Sequence, residues 1–419
     1  MERKSNFGKF LLLWAGELIS SVGGGLTAFG LGVYIFRQTG SAASMAIITL
    51  LGFLPTLLLS VPAGALADRY DRRLLMMLGD GCSALGVIYI LICMIKGNAS
   101  ITQIGIGVFV SACFSALLEP SFRATITDLL TKEEFSRASG LVSLAGSARY
   151  LLSPVIAGFL LSINDVKLLL IIDICTFFLT VTSTAVVRRG IEAQNVEKKE
   201  PLLKSMKEGW HILCAKKGVI TLVVISSVIT LFMGVFQILA EPLILSFADA
   251  TTLGVAETLC ACGMLVSGVL LGIEGLKGNY VRTLGMALIF AGAAMLGFGL
   301  TENIFVICVF GFLFFAALPF ANNCLDYLVR TSIPDDAQGR VWGLIGFISQ
   351  FGYVFAYGLS GTAADVLGKL TGRGVGRGSA FVIMIAGICL SLSALSVFIS
   401  RNVRELEKEG NYVSKTDSE

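Results

Sequence analysis

The chain has 419 residues, 55% of them hydrophobic and only 15% charged, with a mean hydropathy of +0.82. So few charges cannot cover a water-soluble surface of this size, so most of that surface must face lipid. A net charge of only +3 excludes the electrostatic footprint of a nucleic-acid partner. Glycine is abundant (47) and proline scarce (8), as suits helices that approach closely inside a bilayer.

Runs of about twenty mainly apolar residues mark spanning helices. In chain order they are 10–36, 43–66, 74–95, 101–122, 138–162, 166–187, 218–246, 252–274, 282–300, 303–328, 341–365 and 378–400. The first run is too long for the apolar core of a cleavable leader, so it is expected to remain as the first span. The longest polar gap, Arg188 to Lys217, divides the chain into a half at 1–190, a linker at 191–217, a half at 218–400 and a tail at 401–419. With the N-terminus inside, twenty-five of the thirty-two lysines and arginines fall on the inner side and six on the outer, with Arg149 inside the fifth span. This asymmetry places both termini in the cytoplasm, and Lys369 in the last external loop. In the linker, Leu202, Leu203, Met206, Trp210 and Leu213 recur at helical spacing beside Lys204, Lys207, Lys216 and Lys217, which predicts a helix lying on the inner leaflet. The only histidine, His211, falls on that helix and is expected to be solvated.

The halves overlay at an offset of 203 residues. Leu130-Thr-Lys-Glu-Glu-Phe-Ser-Arg137-Ala-Ser-Gly140-Leu141 falls on Ile333-Pro-Asp-Asp-Ala-Gln-Gly-Arg340-Val-Trp-Gly343-Leu344. Both stretches lie between the fourth and fifth spans of their half, which indicates a parallel repeat, an architecture of transporters.

Between the second and third spans stands Gly64-Ala-Leu-Ala-Asp68-Arg69-Tyr-Asp71-Arg72-Arg73. Gly64 removes a side chain where two helices are expected to touch. Asp68 can cap a helix or pair with arginine, and the arginines hold the loop inside. The stretch resembles the signature loop of the major facilitator superfamily, with Asp71 in place of the usual glycine. The resemblance implies an all-α membrane fold of twelve spans in two parallel six-helix halves. It also implies a conformational latch made of Gly64, Asp68, Arg69, Arg72 and Arg73. The second half carries a degenerate copy in Gly268, Gly272, Glu274, Lys277 and Arg282, without the Asp-Arg core. The fifth span reads Ser153-Pro154 followed by Ala157-Gly158, similar to the superfamily's exporter motif with Ser153 replacing a glycine. Along its length, the chain is similar to the macrolide-efflux branch, with the siderophore-export branch next. Leu118-Glu119-Pro120-Ser121, the 129–140 loop, Ile172-Asp173 and Thr176-Phe177 carry that likeness.

A charge at mid-bilayer costs at least ~2.5 kcal/mol on insertion scales, so each needs a partner, water or a role. Glu17 precedes a small, polar stripe of Ser21, Gly24 and Ala28 on the first span, and the seventh repeats the pattern with Ser226, Thr230, Gly234, Gln237 and Glu241. The resemblance places these helices at the central cavity. Glu17 is the candidate proton-coupling carboxylate, with Arg149 as its partner cation and Glu241 as the second candidate. Ser21, Gly24, Phe29, Tyr150, Thr230, Phe236, Gln237, Phe320, Asn323, Tyr353 and Tyr357 are candidate lining residues, suited to a large amphipathic ligand. Asp173 is expected to make a structural hydrogen bond or pair with Arg149. Glu119, Asp80 and Asp326 are expected to anchor loops near water.

Ten cysteines stand singly, almost all of them in apolar runs, which gives neither a disulfide framework nor a metal site. No cofactor is expected, and no phosphate-cradling Gly-x-x-x-x-Gly-Lys-Ser/Thr is present, so an ion gradient rather than ATP must drive the cycle. The expectation is a monomeric, non-enzymatic exporter of an amphipathic small molecule such as a macrolide, exchanging protons across a bacterial plasma membrane. The alternatives are a siderophore exporter, a lysophospholipid transporter and a non-transporting membrane sensor.

Overall fold

Backbone N–H and C=O groups cannot be left bare in hydrocarbon, and a helix satisfies them within one segment. The computed structural model describes residues 6–189, 210–214, 216–276, 278–333 and 338–407, and among these the regular structure is entirely helical. Among the described residues, twelve helices are long and apolar enough to span a membrane. They are α1 (Phe7–Thr39), α2 (Ala42–Ala67), α3 (Arg72–Lys96), α4 (Ile101–Leu129), α5 (Phe135–Ile163) and α6 (Val166–Arg189), then α7 (Gly218–Leu245), α8 (Ala250–Glu274), α9 (Tyr280–Leu300), α10 (Ile304–Arg330), α11 (Val341–Thr371) and α12 (Gly374–Ile399).

Every sequence run corresponds to one helix, but several helices continue past their apolar stretch. α4 extends from the expected 122 to Leu129, because Ser121, Phe122, Thr125 and Leu129 form one buried face of an otherwise polar final segment. α11 extends to Thr371, so Lys369 lies in its last turn rather than in a loop. Gly372 then ends α11 in the left-handed region at φ 65°, where a residue without Cβ carries no penalty. Of the linker helix, Leu202, Leu203 and Met206 lie outside the described residues. Residues 210–214 are helical, with Leu213 buried and Trp210 and His211 exposed. Residues 334–337, Lys277 and the tail beyond 407 also lie outside them. The part of the tail that is described, 401–407, is a helical turn whose Leu406 packs against Gly218 and whose Glu407 accepts from the backbone N–H of Val281 at 3.3 Å.

The chain forms two compact units. The first comprises the described residues of Met1–Gly40, Ile47–Lys199 and Asp249–Thr258. The second comprises those of Ser41–Ala46, Glu200–Ala248 and Leu259–Glu419. Small residues set the helix spacing in both. In the first unit, α3 and α4 meet where Gly86 lies against the carbonyl of Gly107, and Ser83 bonds to Ser111 at 2.7 Å and Ser115 at 2.9 Å. α1 rests on α6 through Gly16, Gly23 and Gly30 and on α5 through Gly25. In the second unit, α9 meets α12 at Gly292 and Gly387.

Each unit also includes the first turns of a helix whose remainder belongs to the other. In the first unit, Gly158 of α5 receives the Ala250 carbonyl of α8, Gly254 receives the Pro154 carbonyl, and Thr251 and Thr258 donate to the carbonyls of Gly158 (3.1 Å) and Leu151 (3.0 Å). In the second, Gly361 of α11 receives the Ala42 carbonyl. There Asp365 accepts from Ser41 Oγ at 2.5 Å and from the backbone N–H groups of Ala42 at 2.9 Å and Ala43 at 3.2 Å. These N–H groups begin α2 and have no partner within the helix, so a carboxylate is their natural acceptor.

Candidate functional site

The signature loop is held by ion pairs within the first unit. Arg72 opens α3, and its guanidinium donates to Asp128 Oδ1 at 2.5 Å, to the Ala124 carbonyl at 3.0 Å and to the Ala67 carbonyl at 3.3 Å. The ends of α2, α3 and α4 are thereby tied at one point. Asp71 caps α3 by accepting from the backbone N–H of Arg73 at 3.0 Å, and pairs with Arg188 of α6 at 2.7 Å. Asp68 sits in the turn after α2, Arg69 is exposed, and Arg73 is buried. Gly64 was expected to admit a neighbouring helix, yet a Cβ there would meet nothing within 4 Å. Its freedom is therefore not consumed by a packing contact in this state. In the degenerate copy, Gly268 and Gly272 are likewise open.

Glu17 is half-buried on α1, and Arg149 of α5 is exposed. Among the described residues no ion pair within 4 Å joins them, although each lies within electrostatic reach of the other. Ser21 Oγ donates to the carbonyls of Leu18 (3.0 Å) and Ala145 (3.2 Å), fastening α1 to α5 one turn beyond Glu17. Gly24 faces open space. Gly25 meets the break in α5, where Ser153 Oγ donates to the Val22 carbonyl at 3.0 Å just before Pro154. Tyr150 is 57% exposed beside Arg149. Phe29, expected as a lining residue, is in the packed interior.

In the second unit, α7 and α11 bring together four of the expected residues. Thr230 donates to the Ser349 carbonyl at 2.5 Å, where α11 breaks at Gln350. Gly234 opens a notch that admits the Tyr353 and Tyr357 rings. Tyr353 Oη reaches Met233 Sδ at 3.1 Å, and Tyr357, buried like Phe29, donates to Gln237 Oε1 at 3.1 Å. Glu241 is half-buried one turn further along α7. Phe320 is half-buried and Asn323 exposed on α10. Phe236 is only 2% exposed, stacked on Phe314 at 4.3 Å and flanked by Phe298 and Phe315, so it is core rather than wall. Phe is as useful in a helix interface as in a binding wall, and residue type does not separate the two roles.

Asp128 and Arg188, which complete the loop's ion pairs, were not singled out from the sequence. Asp80 departs from expectation in another way, whereas Asp173 takes the hydrogen bond expected of it, from Thr176 Oγ1 at 3.5 Å. Asp80 was placed near water as a loop anchor, but it is 1% exposed, as is Asp173. Asp80 belongs to the interior because it follows two turns of α3 that are already packed, at Arg73, Met76 and Gly79.

The sequence model of the Major Facilitator Superfamily matches residues 13–357. Macrolide efflux protein A of Streptococcus pyogenes is 28% identical over 386 residues, covering 88% of this chain and 92% of that protein. The multidrug efflux pump Tap of Mycolicibacterium fortuitum is 23% identical over 415 residues, covering 96% and 97%. The crystal structure of the POT family transporter PepTSo superposes with a TM-score of 0.77 over 97% of this chain and 99% of its own, at 12% identity, a likeness of fold.

Proposed function

Because the chain belongs to the Major Facilitator Superfamily, we propose that it exports an amphipathic small molecule of the macrolide class in exchange for protons, by alternating access of two six-helix halves. It is a multi-pass membrane protein and a secondary transporter, not an enzyme. The observation that carries the export reading is the near full-length similarity to a macrolide efflux protein. In this reading, residues 1–190 and 218–400 are the moving halves, 191–217 is the linker, and both termini face the cytoplasm of a bacterium. The loop at Gly64, Asp68, Arg69, Arg72 and Arg73 latches one state of the cycle. Glu17, with Arg149 at hand but not locked to it, takes and releases the proton, and Glu241 is the second carboxylate on a pathway helix. Gln237, Tyr353 and Tyr357 offer an amide and two phenols beside aromatic area, chemistry that suits a large ligand with both polar and apolar faces.

The test is accumulation of labelled macrolides, with siderophores and lysophospholipids as comparison substrates, in bacterial cells with and without this chain. Lower macrolide accumulation that returns to the control level when an uncoupler collapses the proton gradient supports the reading. Equal accumulation with and without the chain, at verified expression, overturns it.

A further inference from the structure

The two most deeply buried acids of the first unit, Asp80 on α3 and Asp173 on α6, have no part in the scheme above. Both are 1% exposed. Neither carboxylate oxygen of Asp80 has a hydrogen-bond partner. Asp173 takes a long hydrogen bond, 3.5 Å, from Thr176 Oγ1. Among the described residues neither acid forms an ion pair within 4 Å.

The glycine stripe of α1 brings these groups toward Glu17. Asp173 Oδ1 stands 2.9 Å from where a Cβ of Gly23 would be, and the stem of Arg149 stands 3.2 Å from that of Gly25. The charges that act on Asp80 are Glu17 of α1 and Asp173 of α6. α4, on the other side of α3, meets it through the hydroxyls of Ser111 and Ser115. Arg149 acts on both Glu17 and Asp173. Glu119 of α4 also acts on Glu17, but its own charge is matched by Arg123 at 2.8 Å. Glu17 and Asp173 therefore share one guanidinium inside a membrane-embedded helix cluster, and Asp80 is left without one. A bare carboxylate there forfeits several kcal/mol of hydration that only a cation, a set of donors or a proton can return. Asp80 has neither cation nor donors.

We infer that Glu17, Asp80 and Asp173 form one proton-storing site in the first unit, in which Asp80 holds a proton while Glu17 and Asp173 share Arg149. Exposure falls from Arg149, which is open, through half-buried Glu17 to the buried aspartates, so the stored proton lies at the enclosed end of this series. Its use in transport rests on the proton-exchange reading above, whereas the presence of the proton does not.

The test is infrared spectroscopy of the purified full chain in lipid at neutral pH, following the carbonyl absorption of protonated carboxylic acids. Wild type should show such a band. Asp80→Asn, which matches the neutral acid in size, should lose it and keep the wild-type melting temperature. Asp80→Glu should shift it, which keeps the test decisive if the asparagine variant folds poorly. Asp173→Asn relieves one negative neighbour and should make the Asp80 proton easier to lose, so the band should fade at a lower pH. Absence of the band in wild type, or a band that neither disappears in Asp80→Asn nor shifts in Asp80→Glu, overturns the inference. Loss of the band alongside uncoupler-insensitive export would retain the site and remove proton exchange. An unchanged band alongside uncoupler-sensitive export would do the reverse.

Discussion

Asp71 stands where the signature loop usually has glycine, and it adds contacts that glycine cannot make. Burial disfavours its charge, but the side-chain hydrogen bond from Arg188, the backbone N–H groups of Arg73 and Leu74 and the Arg188 charge outweigh it, and together hold the carboxyl below its ordinary range. A lowered carboxyl stabilises the fold above the ordinary carboxylate range, and that contribution is lost as pH falls through the still lower folded value. Asp71→Ala should therefore cost about 1 kcal/mol at neutral pH, mostly as a lost helix cap, and the difference in melting temperature should close in acid. Arg72 and Asp128 are more enclosed, with side chains 16% and 12% exposed, so removing either one leaves a poorly solvated charge. Arg72→Ala and Asp128→Ala should each cost on the order of 2 kcal/mol, and the double variant less than their sum, measured as unfolding midpoints in one detergent. The sequence made the loop visible because its residues are contiguous. Asp128 and Arg188 lie 56 and 117 residues from their partners, and no local spacing connects them. Asp80 illustrates the same limit, since distance from a helix end says little about what packs over a side chain.

Hydrophobic run length is enough to find every spanning helix, because lipid leaves the backbone little alternative. What run length cannot find is where a helix continues as an amphipathic segment, as in α4, or which glycines receive another backbone. Gly158 and Gly361 are separated by the repeat offset of 203 residues, and each receives the first turn of a helix, α8 and α2 respectively. The repeat was legible in the 130–141 and 333–344 stretches, but this consequence of it was not. A Cβ on Gly158 would lie 2.6 Å from the Ala250 carbonyl oxygen, a backbone atom that cannot swing aside, whereas one on Gly140 would meet nothing within 4 Å. Gly158→Ala should lower stability by about 1–3 kcal/mol as an overpacked contact, and Gly140→Ala should not. The repeat is imperfect where Asp365 caps α2, because the position 203 residues earlier is Ser162, which instead donates to its own helix at Phe159. Asp365→Ala should cost about 1–2 kcal/mol and increase hydrogen exchange in residues 42–45 specifically. Uniform exchange along α2 would show that the cap does not hold that end.

At the scale of the molecule, twelve helices among the described residues and membership of the superfamily make a transporter, and the lysine and arginine asymmetry predicts an orientation that labelling can test. Single-cysteine reporters at His211 and Lys415, with all ten native cysteines replaced by serine, should be protected from an impermeant thiol reagent outside intact cells. A reporter at Arg373, at the start of α12, should react. Labelling at His211 would invert the topology. The fold and transporter class were legible because they depend on composition, run length and one contiguous motif. The candidate lining residues were less so: Gln237, Tyr353 and Tyr357 come together, with Tyr357 buried, whereas Phe29 and Phe236 fill the packing. The export cycle proposed above is proton-driven, with Glu17 exchanging the proton. It is tested most directly by macrolide uptake into liposomes holding the purified chain, under an imposed pH gradient, for wild type and Glu17→Gln. Glutamine keeps the size and hydrogen bonding of Glu17 but exchanges no proton. Wild type should accumulate the drug against its concentration gradient, and the variant should bind it yet only equilibrate it. Uphill accumulation by Glu17→Gln that still follows the pH gradient would contradict the account.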